Sequence, residues 1–177
     1  PNPGFPIYES MINFVGGKAV PIALEEKNEF SFDVEKLRSL ITPKTKLIII
    51  NSPQNPTGGV LSQKDLNAIA EMAIENNIMV FSDEIYSRLV YDAPFASISS
   101  IPGMKERTII LDGFSKTYSM TGWRLGYGVM PKEMADIVSK LITNSDSCTA
   151  TFTQMAGVEA LTGPQDAANA MKEEFLA

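Results

Sequence analysis

Residues 46–58 read Lys46-Leu47-Ile48-Ile49-Ile50-Asn51-Ser52-Pro53-Gln54-Asn55-Pro56-Thr57-Gly58, and the change of character at Asn51 decides the fold. Lys46 to Ile50 is mostly β-branched and lacks polar alternation, which predicts a buried strand of the kind found in parallel sheets. The asparagines, prolines and glycine that follow cannot continue a central strand, so the chain must leave the sheet there. Ser62 then caps a helix whose apolar positions Leu66, Ile69, Ala70, Ala73 and Ile74 share one face. Ile78 to Ser82 reads as the next apolar strand and Thr108 to Leu111 as another.

Toward the amino terminus, Gly16-Gly17 is a turn and Ala19 to Leu24 is expected as a strand. Asp33 suits a helix N-cap, with Val34, Leu37, Leu40 and Ile41 at helical spacing until Thr42-Pro43 stops them. Toward the carboxyl terminus, Met104 to Arg107 reads as a solvated loop, and Arg124 to Met130 as a strand weakened by its glycines. Pro131 takes a favoured first-turn position in a helix through Met134, Ile137, Val138 and Leu141. Thr149 to Leu161 and the stretch from Gln165 are expected as helices. Apolar strands separated by single helices imply crossover connections. The expected class is therefore α/β, a largely parallel sheet with helices on both faces in three layers.

Composition narrows the chemistry. The 177 residues suffice for one globular domain, with 44% hydrophobic and 20% charged residues, an ordinary soluble balance. No apolar run is long enough for a membrane helix, and a net charge of −6 argues against nucleic acid as a partner. There is no histidine and a single cysteine, Cys148. That removes histidine-based triads and makes a zinc site untenable, so no metal is expected. A lone cysteine fits a reducing compartment, and a cytoplasmic location is expected. Proton transfer would fall to lysine, carboxylate or tyrosine.

Three polar groups follow the ends of the predicted strands: the 51–58 run, Asp83 with Tyr86, and Asp112-Gly113-Phe114-Ser115-Lys116. In open α/β sheets the carboxyl ends of the strands form the ligand edge. The order Asn51-x-Pro53-x-Asn55-Pro56-Thr57-Gly58, then Asp83-x-x-Tyr86, then Ser115-Lys116 and Gly122-Trp123-Arg124-x-Gly126-Tyr127 resembles the class I and II aminotransferases. That family is pyridoxal-phosphate-dependent, of fold type I, and includes aspartate aminotransferase. The resemblance runs from Pro3 to the carboxyl terminus.

The resemblance implies pyridoxal 5'-phosphate as cofactor and a role for each matching residue. Lys116 would form the Schiff base and then move the proton at the substrate carbon. Asp83 would pair with the pyridine nitrogen, Tyr86 and Asn55 would bond the ring's phenolic oxygen, and Arg124 would grip the phosphate. Phe5, two residues after Pro3, matches the aromatic that stacks on the ring; an apolar loop anchor is the competing reading. Tyr8 falls where some members place a partner for the aspartate. Outside the motif each has a plainer reading: a solvated lysine, a helix-capping aspartate, a turn asparagine, a surface arginine. One position departs. Gly113 stands three residues before the lysine where many members have a phosphate-binding serine, and Ser115 is a candidate substitute.

The implied reaction is amino transfer between an L-amino acid and a 2-oxo acid by a whole protein expected to be a homodimer. A fold-type-I β-lyase and a non-catalytic remnant of the fold are the alternatives; Gly122-Trp123-Arg124 favours the transferase. Residues 1–177 would then be a partial large, cofactor-binding domain. The expectation is that an amino-terminal segment and a small carboxyl-terminal domain lie outside it. Pro1 without a methionine, and Ala177 inside an unfinished helical pattern, fit that expectation. Taken alone, the chain is expected to be inactive.

Overall fold

The computed structural model describes residues 1–28, 30–31, 33–92 and 94–176. Four strands form one sheet in the order β1 (Leu47–Asn51), β2 (Met79–Asp83), β3 (Thr108–Gly113) and β4 (Gly126–Val129). The first three are parallel and β4 is antiparallel, so the sheet is mixed at one edge. Between β3 and β4 the chain makes a tight turn and a 3₁₀ turn at Thr121–Trp123. It folds back beside β3 without crossing the sheet, which forces the antiparallel pairing.

Among the described residues three α-helices precede β2: α1 (Ile7–Phe14), α2 (Val34–Leu40) and α3 (Gln63–Glu75). The Asp33 carboxylate accepts from the Lys36 N–H at 2.8 Å and starts α2 as expected. Ser62 and Asp65 form a reciprocal capping box at the start of α3, satisfying donors that would otherwise be unpaired. Helix α1 has no sequence forecast because Pro6 at its N-cap makes no side-chain capping bond.

Three further expectations are corrected. Ala19 to Leu24 is not a strand, and Ala23 makes only an isolated parallel bridge to Asn2. Pro3 and Pro21 flank that bridge and supply no N–H to extend the ladder. The β2–β3 connection contains 3₁₀ turns at Ile98–Ser100 and Lys105–Arg107, with no α-helix among its described residues. Met104, expected in a solvated loop, is fully buried.

The core lies on one side of the sheet. Ile48, Ile50 and Val80 pack with Leu66, Ile69, Ala70, Met72 and Ala73 of α3, joined by Leu37, Ile98 and Met104. Burial alternates along β1, where Leu47 is exposed and Ile49 half-buried, so the strand is deeply packed on one face only. On the other face Tyr8 of α1 meets Phe81 edge-on, with centroids 6.4 Å apart.

Helices α4 (Lys132–Ser145), α5 (Thr151–Thr162) and α6 (Asp166–Leu176) complete the chain. Pro131 stands at the N-cap of α4, one position before the one predicted. Helix α5 approaches closely through Gly157, where a Cβ would lie 2.5 Å from Leu125 Cδ2 and 3.2 Å from Phe114 Cζ. Among the described residues no helix is long and apolar enough to cross a membrane.

Candidate active site

Register brings the three polar segments together. Asn51 pairs with Asp83, and Asp83 with Leu111, so the carboxyl ends of β1, β2 and β3 align and their loops emerge side by side.

The loop after β1 is built around two buried amides, Asn51 and Gln54. Asn51 Nδ2 donates to the carbonyls of Pro53 and Asp83, each at 3.2 Å, and its Oδ1 accepts the Asn55 N–H at 2.8 Å. Gln54 Nε2 donates to the Pro3 carbonyl at 2.9 Å and the Asn55 carbonyl at 2.8 Å. Its Oε1 accepts the Thr57 N–H at 2.8 Å and hydroxyl at 2.6 Å. These amides do the work of secondary structure in a loop whose prolines lack donors, and they leave Asn55 half-buried at the cleft. Gly58 closes the loop at φ 76°, a conformation that favours glycine.

The end of β2 places Asp83 in the interior. Its Oδ1 accepts the Ile85 N–H at 3.2 Å, and its Oδ2 accepts the Tyr8 hydroxyl. Burial raises the Tyr8 phenol pKa well above its ordinary value, and the bond to Asp83 and that carboxylate's charge raise it further. Tyr8 therefore stays a donor and holds the carboxylate from behind, where the sequence suggested it. The capping role of Asp83 amounts to one bond in a turn. Tyr86 follows at the cleft. Between them Glu84 turns back toward the sheet and is buried, accepting the hydroxyls of Ser82 at 2.9 Å and Ser97 at 2.6 Å. Desolvation raises its pKa against the lowering effect of those two bonds.

The segment after β3 carries Ser115 and Lys116 in a turn closed by Tyr118 N–H to Phe114 O at 3.2 Å and Ser119 N–H to Lys116 O at 3.2 Å. Lys116 Nζ lies 5.6 Å from the Tyr86 ring centroid. Gly113 pairs with Gly126 in the antiparallel ladder. A Cβ there would stand 2.9 Å from Gly126 Cα and 3.1 Å from the Leu125 carbonyl. The strands thus approach too closely for serine, which accounts for the departure at this position. Ser119 at φ 52° and Arg124 at φ 55° flank the segment in the left-handed region, a strained backbone of the kind that collects at functional sites. Arg124 is exposed, and its Nη1 donates to the Thr121 carbonyl at 3.0 Å.

A cleft of about 970 Å³ collects Asn55, Tyr86, Ser115 and Lys116 on its walls, with Ser119 and Thr121 beside them. Asp83 and Arg124 are not on its walls: Asp83 is buried next to Glu84 at the end of β2, and Arg124 is bonded to the carbonyl of Thr121, which is on them. Phe5 is not on its walls. It is 45% exposed and edge-on to Tyr8 at 5.8 Å between centroids. Asn51, Gln54 and Glu84 are supporting residues that had no assigned role. The signal for the two amides was their place in a donor-poor proline loop; for Glu84 nothing local distinguished it from a surface acid.

The chain is similar to known proteins over nearly its whole length. A family model described as aminotransferase class I and II matches residues 1–176. An aspartate aminotransferase of Pyrococcus abyssi is 43% identical over 178 residues, covering 99% of this chain and 46% of the relative. An aromatic-amino-acid aminotransferase of Thermococcus litoralis is 44% identical over 162 residues, covering 91% and 42%. The solved aromatic aminotransferase from Pyrococcus horikoshii superposes with a TM-score of 0.95 at 42% identity, covering 99% of this chain and 48% of that one. The chain spans about half the length of the curated relatives it matches.

Proposed function

The chain belongs to the class I and II aminotransferases, and on that premise we propose that the whole protein transfers an amino group between an L-amino acid and a 2-oxo acid with pyridoxal 5'-phosphate. The observation that carries the proposal is the convergence of Lys116, Tyr86, Asn55 and Ser115 on one cleft at the sheet edge. Relatives named for aspartate and for aromatic amino acids support amino acid substrates, without separating the two classes.

The residues present fit the cofactor. An amine faces a phenol across the cleft, with an amide and a hydroxyl on the same walls. A buried carboxylate, Asp83, ends the neighbouring strand, and the Arg124 guanidinium is bonded to the carbonyl of the wall residue Thr121. When bound, the cofactor supplies an electron sink for negative charge at the substrate's α-carbon. Lys116 would hold it covalently and carry the proton at that carbon. Asp83, steadied by Tyr8, would keep the pyridine nitrogen protonated. Tyr86 and Asn55 would bond the ring oxygen, and Arg124 with Ser115 would take the phosphate, where a guanidinium can make paired bonds. Phe5, off the cleft walls and edge-on to Tyr8, keeps both of its readings, a ring-stacking aromatic and an apolar loop anchor.

The proposal includes a homodimeric, cytoplasmic whole protein, with residues 1–177 as part of its large domain. Exposed apolar residues on α4 and α5, such as Ile137 and Phe152, suit burial by further protein surface. The exposed free thiol of Cys148 suits a reducing compartment.

The test is a product balance. The whole protein, given cofactor, an L-amino acid and a 2-oxo acid, should yield the new 2-oxo acid and the new amino acid in equal amounts. Release of ammonia with pyruvate would instead assign it to the lyases. Lys116→Ala should lower turnover by about 10²–10⁴-fold, the scale of a lost proton carrier, and should remove the cofactor's visible absorbance after dialysis. Turnover undiminished in that variant would sink the assignment of the lysine.

A further inference from the structure

Beside the Lys116 turn and off the walls of the cleft, three side chains from distant parts of the chain meet. Arg88 Nη1 donates to the Tyr118 hydroxyl at 2.9 Å and to Gln165 Oε1 at 2.6 Å. The Tyr118 hydroxyl in turn donates to Gln165 Oε1 at 3.1 Å. The guanidinium also lies over the Tyr118 ring, 5.6 Å from its centroid, a cation–π placement.

The position of this group in the chain gives it consequence. Arg88 comes two residues after Tyr86, and Tyr118 two residues after Lys116. The Arg88–Tyr118 bond therefore ties the loop bearing Tyr86 to the turn bearing Lys116, the two groups that face each other across the cleft. Within the turn, the Ser119-to-Lys116 and Tyr118-to-Phe114 bonds transmit the position of Tyr118 to the lysine backbone. No carboxylate within salt-bridge distance competes for Arg88 among the described residues.

Gln165 is held so that it can only accept. Its Nε2 donates to the carbonyls of Ala160 at 2.9 Å and Gly163 at 2.8 Å, which uses both amide protons and aims Oε1 at Arg88 and Tyr118. Gln165 immediately precedes α6, which reaches the same turn again where the Ser119 hydroxyl meets Met171 Sδ at 3.2 Å. A surface arginine paired by chance would not meet an acceptor whose orientation is set from behind by two backbone bonds.

We propose that Arg88, Tyr118 and Gln165 form a clasp of positioning residues that sets the placement of Lys116 against Tyr86, an assignment that rests on the cofactor reading above. None of the three touches the reacting groups; they act through the turn and the loop. Loosening the clasp lets the lysine amine sample positions away from its partner, so its covalent reaction with the cofactor aldehyde slows while the fold persists. An ångström-scale misplacement costs roughly 100-fold in rate, and loss of one anchor of a turn that keeps its own backbone bonds should cost about 10-fold.

The experiment uses the whole protein stripped of cofactor. Pyridoxal phosphate is added, and the appearance of the visible band is followed in stopped flow, with thermal melting measured in parallel. Arg88→Met, which keeps the stem but no donor, and Tyr118→Phe should each slow the band about 10-fold with little change in melting temperature. Arg88→Lys, which can donate to both acceptors, should restore most of the rate. Wild-type rates in Arg88→Met and Tyr118→Phe would overturn the clasp, as would slowing that merely tracks a lowered melting temperature. If Arg88→Met does not fold, Tyr118→Phe decides by itself. A wild-type protein that forms no band would overturn the cofactor reading and the clasp with it.

Discussion

Helices α3 and α4 are near equals in length, 13 and 14 residues, and both carry an apolar stripe at helical spacing. Yet α3 buries Leu66, Ile69, Ala70, Met72 and Ala73, whereas α4 buries no residue and leaves Ile137 and Leu141 about two-thirds exposed. The difference lies in what each helix meets. Helix α3 connects two adjacent parallel strands and is laid across them, so its stripe finds Ile48, Ile50 and Val80. Helix α4 follows the edge strand β4, whose own residues are all exposed. An amphipathic pattern announces a face that wants burial, and the fold decides whether a partner surface is there.

The sharpest attempt to break this comparison is truncation at the centre of α3. Ile69 has no solvent exposure, so Ile69→Ala should cost about 2–5 kcal/mol through lost transfer energy and a cavity. It should show as a large drop in the denaturation midpoint of the whole protein; a loss below about 1 kcal/mol would contradict the depth of packing assigned to α3.

A smaller effect separates the two regions by pH. Burial raises the pKa of Glu84, beside the packed end of β2, above the ordinary 4.5. The folded state therefore keeps its proton to higher pH than the unfolded chain does. Its contribution is full below the unfolded pKa and is lost as pH rises through the folded one. Glu84→Gln should flatten the corresponding decline in melting temperature above pH 4.5, whereas Leu141→Ala on exposed α4, which changes no titrating group, should leave it in place. Identical slopes in the two variants would remove the distinction.

The smallest effect is expected at Leu141, 65% exposed on α4, where alanine should change the stability of the chain by no more than about 0.5 kcal/mol. A cost of several kcal/mol in the whole protein would show that α4 gains there the partner surface it lacks in this half.

The same division governs what could be read in advance. Strands β1 to β4, helices α2 to α6 and the convergence of three motifs on a sheet edge were legible, most of them through local periodicity, caps and strand-ending residues. The isolated bridge at Ala23 was misread as a strand, since apolar composition alone cannot tell whether a second strand with free donors lies alongside. Met104 was assigned to solvent from its charged neighbours, although its side chain is fully buried in the core cluster. At the site, Lys116, Tyr86, Asn55 and Ser115 were named and found on one cleft, and the bond from Tyr8 to Asp83 lies where the motif suggested.

By itself, then, the sequence determined the α/β class and the residues that bear the chemistry, because strand and helix signals act over a few positions and motif residues follow directly after them. Only the tertiary structure decided why residue 113 must be glycine, how the Asn51 and Gln54 amides hold a proline loop, and that Arg88 reaches Tyr118 and Gln165 across 30 and 77 residues of chain. Those outcomes depend on how close two strands approach and which way a side chain turns when remote segments pack. Neither is written in any local pattern.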